Sequence, residues 1–124
     1  MDKRHILIVD DERGIRMLAK DLLGHKFGVI EASDGQEAIA MANKYKPDLI
    51  LMDILMPNVD GYTACSTIKT NPATERIPVV MVTALGHELN KKLAQSSGAD
   101  GYLTKPFLEE ELLDTVSKFM RIPK

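Results

Sequence analysis

The chain has 124 residues, 44% apolar and 27% charged, with a formal net charge of −2. That length suits a single domain able to bury a core, and the composition is ordinary for a soluble globular protein. The near-neutral charge gives no reason to expect direct nucleic-acid contact or membrane binding by bulk electrostatics. The single Cys65 excludes an internal disulfide and suits a reducing compartment, and no apolar run reaches the length of a membrane span or signal segment. The expected setting is cytoplasmic.

Ile6-Leu7-Ile8-Val9 is a continuous apolar run that ends in Asp10-Asp11-Glu12. After it, Ile15, Leu18, Ala19, Leu22 and Leu23 recur at helical spacing and define one inward stripe. Phe27 to Ala32 reads as a short strand. Asp34 and Glu37 then have the spacing of a capping box, opening a helix with Ala38, Ile39, Ala42 and Tyr45 inward that stops before Pro47. Asp48 to Asp53 is the next strand, buried on both faces, with a lone carboxylate at its end. Pro57-Asn58-Val59-Asp60-Gly61 is turn chemistry, and Asp60 fits the cap of a helix holding Ala64, Cys65 and Ile68. Val79 to Thr83 is a third fully apolar run ending in a polar residue. A polar helix is expected over 87–96 with only Leu89, Leu93 and Ala94 inward, which makes it the least anchored. Ser97 to Gly101 is a C-cap and turn, and Tyr102-Leu103-Thr104 is a strand that ends in Lys105-Pro106. The last helix, near Leu108 to Met120, has Leu112, Leu113, Val116 and Phe119 inward and Glu109 to Glu111 at its positive end.

Five alternating strand–helix units with continuous apolar strands predict an α/β fold, a parallel sheet with helices on both faces. Right-handed crossovers return every strand in one direction, so Asp10 and Asp11, Asp53, Thr83 and Lys105 all fall at the same end of the sheet. If the strand order is 2-1-3-4-5, the first and third strands are neighbours at the switch point and the three carboxylates meet in one crevice. Carboxylates so close raise one another's pKa unless a cation sits among them, and oxygen-only ligands suit Mg²⁺. Taken singly these residues have plainer explanations. Asp10-Asp11 would cap the first helix, Thr83 would be an ordinary strand residue, Lys105 a solvated loop charge and Tyr102 half-buried core. Cys65 reads as a small core residue, and His5, His25 and His87 as surface residues. Asp53 has no such account, because a lone acid at the end of a buried run needs a partner.

Taken together, Val9-Asp10-Asp11-Glu12, Met52-Asp53-Ile54-Leu55-Met56-Pro57 with Asp60-Gly61, Val82-Thr83-Ala84 and Lys105-Pro106-Phe107 resemble the receiver domain of two-component response regulators, over essentially the whole chain. The resemblance implies a flavodoxin-like, doubly wound (βα)5 fold in strand order 2-1-3-4-5, residues 1–124 forming one receiver domain of the single-domain type. It implies that Asp53 accepts a phosphoryl group from a phosphohistidine of a sensor histidine kinase or histidine phosphotransfer protein, in a Mg²⁺-dependent reaction. By the same resemblance, Asp11, Asp53 and the Leu55 backbone carbonyl ligate Mg²⁺, with Asp10 acting mainly through water. Lys105 pairs with the phosphoryl oxygens, the Thr83 hydroxyl moves to bond them, Tyr102 changes rotamer, and the Lys105-Pro106 bond is cis. The implied output is a changed surface over the fourth helix, fifth strand and fifth helix, recognised by a downstream protein. Such a chain catalyses only its own phosphorylation and dephosphorylation.

The positions two after Asp53 and two after Thr83 are Leu55 and Leu85, and these apolar side chains predict a long-lived phosphoryl form. The sequence ends at Ile122-Pro123-Lys124 without an output domain, and its initial Met suits a natural start; a receiver cut from a longer regulator or hybrid kinase is the alternative. A Mg²⁺-dependent phosphatase of the haloacid-dehalogenase type would want a second Asp where Leu55 stands. A flavodoxin-like electron carrier would want Ser, Thr and Gly where Asp10-Asp11-Glu12 would repel phosphate.

Overall fold

The computed structural model describes residues 4–84, 92 and 95–120, and of residues 83 and 84 the backbone only. Five strands, β1 (His5–Val9), β2 (Gly28–Ala32), β3 (Leu49–Asp53), β4 (Val79–Ala84) and β5 (Gly101–Lys105), pair in parallel in the order β2-β1-β3-β4-β5. Among the described residues the helices are α1 (Arg13–Leu23), α2 (Gly35–Tyr45), α3 (Gly61–Thr70) and α4 (Glu109–Phe119), the last being the fifth helix of the sequence reading. The helix expected over 87–96, with its inward Leu89, Leu93 and Ala94, lies outside the described residues except at 92, 95 and 96, as do Leu85, His87 and residues 122–124. No helix among the described residues is long and apolar enough to cross a membrane.

Alternation along the strands splits the core in two. Leu7, Val9, Ile50, Met52, Val79 and Met81 face α2 and α3, which answer with Ala38, Ala42, Ala64, Cys65 and Ile68. Ile6, Ile8, Leu49, Leu51, Val80, Val82 and Leu103 face α1 and α4, which answer with Ala19, Leu23, Leu112 and Val116. Both faces are covered, which is why the inner strands read as unbroken apolar runs: every residue of β3 is buried.

Local capping follows the sequence closely. Asp34 accepts from the Glu37 N–H at 2.8 Å, and Asp60 accepts from the Thr63 N–H at 2.9 Å. The return half of the first box is shifted by one residue: the Glu37 carboxylate accepts from the Ser33 N–H at 3.2 Å, not from the cap residue. The cap position of α1 is Glu12, so Asp10 and Asp11 do not cap that helix.

Two inward assignments fail. Leu18 is 44% exposed and Tyr45 is 49% exposed. At about 100° per residue, Ile15, Ala19, Leu22 and Leu23 centre a stripe from which Leu18 is turned by roughly 85°, at the margin of what the sheet can cover. Tyr45 has the correct rotation but is the last residue of α2, followed by the left-handed Lys46. Its ring is covered by Lys44, whose Nζ lies 5.1 Å from the centroid.

Candidate functional site

The register sets the site. Val9 pairs with Met52, Met52 with Met81 and Met81 with Tyr102. One step further along each strand come Asp10, Asp53, Val82 and Leu103, so Asp10 and Asp53 emerge side by side from the middle of the sheet. Beyond them Thr83 pairs with Thr104 and Ala84 with Lys105. The topology therefore gathers all five predicted chain positions at one sheet end, beside the switch point between β1 and β3.

Lys105 joins the two buried acids. Its Nζ lies 2.7 Å from Asp10 Oδ2 and 3.4 Å from Asp53 Oδ1, with the Asp10 side chain only 3% exposed. The Lys105-Pro106 bond that leads away is cis, as expected. Burial raises the Asp53 carboxyl, with further upward pressure from Asp10 and less from Asp11, and Lys105 offsets only part of this. Its pKa rises from the usual 3.8 to about 6. For Lys105 burial acts downward, but the hydrogen bond to Asp10 and the charges of Asp53 and Asp10 together prevail and hold the ammonium above its ordinary value. The three carboxylates exceed the charge of Lys105 by two, which is the charge of one Mg²⁺, and every available donor is oxygen. The residues fit that ion.

The acids grouped tightly enough to share a cation among the described residues are Asp10, Asp11 and Glu12, whose carboxylate oxygens lie within 4.8 Å of one another. Glu12 was not among the expected ligands; the signal for it was its place beside the aspartates. Asp53 stands outside that trio and is tied to Asp10 through Lys105. Leu55 lies just beyond, 64% exposed, in the loop between β3 and α3. That loop is fastened down: the Gly35 N–H donates to the Val59 carbonyl at 3.1 Å, and left-handed Asn58 donates through Nδ2 to Asp34 Oδ2 at 3.3 Å. Gly61 closes it, donating to the Ile54 carbonyl at 2.9 Å, and a Cβ there would come within 2.3 Å of the Asp53 carbonyl oxygen.

Thr83 lies in β4, its side chain outside the described residues. Tyr102 is half-buried against the core on the α2–α3 face, where Tyr62 of α3 packs as well. Burial raises the Tyr62 phenol, and Asp60 and Tyr102 raise it further, which makes Tyr62 a neighbour of Tyr102 that sequence spacing did not announce.

Comparison with known proteins agrees with this geometry. The chain matches the response regulator receiver domain over residues 6–117. It is similar to the chemotaxis protein CheY of Halobacterium salinarum, 42% identical over 115 residues that make up 92% of this chain and 94% of that one. Several other curated relatives are much longer, and of one, response regulator PleD of Caulobacter vibrioides, the chain spans about a quarter. Among solved structures, chemotaxis protein CheY4 of Vibrio cholerae superposes with a TM-score of 0.89 at 31% identity, covering 95% of this chain and 99% of that one. The receiver domain of a sensor histidine kinase from Pseudomonas aeruginosa, solved with a magnesium ion coordinated in its active-site cleft, gives 0.89 at 27% identity, covering 97% of this chain and 99% of that one. Receiver domains are signalling switches that work with histidine kinases and downstream targets and generally bind Mg²⁺ at an acidic site. This chain belongs to the response regulator receiver domain family.

Proposed function

We propose that the chain is a phosphorylation-activated switch of a two-component system, with Asp53 as the phosphoacceptor. The observation that carries this is a single arrangement: a carboxylate at the end of a wholly buried strand, with Lys105 3.4 Å away and anchored on buried Asp10. With its pKa near 6, Asp53 is mostly ionised at neutral pH yet poorly solvated, which suits a nucleophile. An Asp53 oxygen attacks the phosphorus of a phosphohistidine; the new P–O bond forms as the P–N bond breaks, and the imidazole leaves with the electron pair. Bound Mg²⁺ supplies charge neutralisation at the phosphoryl oxygens. Asp11, Asp53 and the Leu55 carbonyl would hold it, while Asp10, whose two carboxylate oxygens already accept from the Glu12 N–H and Lys105, would act through water. Lys105 then pairs with the phosphoryl oxygens, Thr83 bonds them through its hydroxyl, and Tyr102 responds.

Large apolar side chains are exposed on segments that follow the site's strand ends: Met17 and Leu18 on α1, Leu55 two residues after Asp53 and Leu108 two after the cis proline. They suit docking of the partner that carries the histidine. The output surface includes the groove of about 420 Å³ between β5 and α4, which Tyr102 and Phe119 line. A haloacid-dehalogenase-type phosphatase is disfavoured by Leu55, an apolar residue where its second Asp would stand.

The test is intact mass after incubation with Mg²⁺ and a small phosphodonor, for the wild type and for Asp53→Asn. One added phosphoryl group, absent without Mg²⁺ and in the variant, is the expected result. No adduct on the wild type would leave a phosphorylation-independent interaction domain in which Asp53 only balances charge.

A further inference from the structure

Asp10 is held at every polar atom. Its N–H donates to the Ala32 carbonyl at 3.1 Å, Oδ1 accepts from the Glu12 N–H at 2.9 Å, and Oδ2 accepts from Lys105 at 2.7 Å. The remaining atom, its carbonyl oxygen, accepts from Arg16 Nη1 at 2.8 Å. Arg16 reaches back from the first turn of α1, its side chain only 17% exposed, and its Nε donates to Glu31 Oε1 on β2 at 3.2 Å. The guanidinium is a rigid planar fork, so one side chain fixes both contacts at once.

The position of that carbonyl gives the contact its leverage. β1 has ended at Val9, so no strand ladder holds the Asp10 oxygen. The oxygen belongs to the planar peptide unit whose other half is the Asp11 nitrogen. Pinning it fixes the rotation of that plane, and with it the direction in which Asp11 leaves the backbone. Asp11 is one of the three acids within 4.8 Å of one another. A carboxylate trio on an unpinned turn would spread under its own repulsion, and a cation would first have to gather it. Resting on the Mg²⁺ site proposed above, we infer that Arg16, oriented by Glu31, is a positioning residue that sets the Mg²⁺ affinity of the Asp10–Asp11 turn.

Arg16→Lys keeps the charge and loses the fork. Isothermal titration of the unphosphorylated chain with Mg²⁺ should show affinity about tenfold weaker, the usual scale for losing a group that orients a ligand. Phosphorylation by a small donor at saturating Mg²⁺ should stay within about twofold of wild type, because binding and not chemistry is impaired. Glu31→Gln leaves the Asp10 contact in place and should weaken Mg²⁺ less, and the double variant should be no weaker than Arg16→Lys alone, since both act through one contact. A lowered melting temperature with unchanged Mg²⁺ affinity would make Arg16 a structural strut and overturn the inference. If Arg16→Lys does not fold, Glu31→Gln decides, and unchanged affinity there overturns it equally. A wild-type chain that takes up no Mg²⁺ overturns the metal site itself and the inference with it, a result distinct from wild-type binding that Arg16→Lys fails to disturb.

Discussion

Asp53→Asn removes a charge that the fold holds at a cost, so the variant should be more stable than the wild type when no divalent ion is present. The carboxyl titrates near 6 in the folded chain against 3.8 when solvated. Each pKa unit corresponds to about 1.4 kcal/mol, so the ionised group opposes folding by on the order of 3 kcal/mol at most, and by roughly 2 once the open mouth of the crevice is allowed for. The sign follows from proton uptake. Between pH 4 and 6 the folded chain binds more protons at Asp53 than the unfolded chain does, so this group's contribution to stability falls as pH rises through that window and is flat above about pH 7. Protonated Asp and Asn are nearly isosteric and neutral, so the two proteins should be equally stable near pH 4. They should diverge to roughly 2–3 kcal/mol by pH 7.5, about 10 °C in melting temperature for a chain of this size. Urea denaturation followed by circular dichroism, in chelator at several pH values, reads the difference directly. Saturating Mg²⁺ should close the gap by stabilising the wild type more. A variant less stable than wild type at pH 7.5, or a gain that does not change with pH, would refute the account of Asp53 as a charge strained by burial and by Asp10.

Lys105→Met should be destabilising by about 3 kcal/mol in chelator, because buried Asp10 then keeps its charge without the 2.7 Å partner, and Mg²⁺ should restore part of the loss in the same denaturation assay. A cost below about 1 kcal/mol would mean that water already compensates Asp10. Gly61→Ala places a Cβ 2.3 Å from the Asp53 carbonyl oxygen and 2.8 Å from the Ile54 Cα, so backbone must move; a loss of about 2 kcal/mol or more is expected by thermal melting, together with slower phosphorylation. An unperturbed melt would show that α3 can retreat from β3 freely. Leu55 is exposed two residues past the phosphoacceptor and offers no hydrogen bond to an attacking water, so Leu55→Asn should shorten the phosphoryl lifetime by roughly tenfold, followed by intact mass over time. An unchanged or longer lifetime would remove Leu55 from that role.

What the sequence revealed and what it hid divide along a physical line. The inner strands β1 and β3 were legible because burial on both faces leaves Ile6 to Val9 and Leu49 to Met52 without a polar residue, so that each apolar run stops where a carboxylate appears. Asp34 and Asp60 were legible as caps because capping acts over three residues and writes its spacing into the chain. Helix rotation was less so. Leu18 satisfies the apolar spacing of α1 but sits at the margin of the stripe, and how far a sheet wraps around a helix is decided by packing that spacing does not encode.

Contacts that cross between elements through one side chain were not legible at all. Arg16 reaching a backbone carbonyl, and Asn58 reaching Asp34 across the β3–α3 loop, join residues with no periodic relation, and each residue alone passes for an ordinary surface group. Asp53 was the exception because its environment is unfavourable. A charge placed where burial raises its pKa to about 6 is explained only by something outside its own segment, which directed attention to the other strand ends. Arg16 and Asn58 carry no such penalty and give no such signal. Strain at a site is therefore readable from sequence in a way that its supports are not, and the residues most easily overlooked in this chain are those that make the strained arrangement hold.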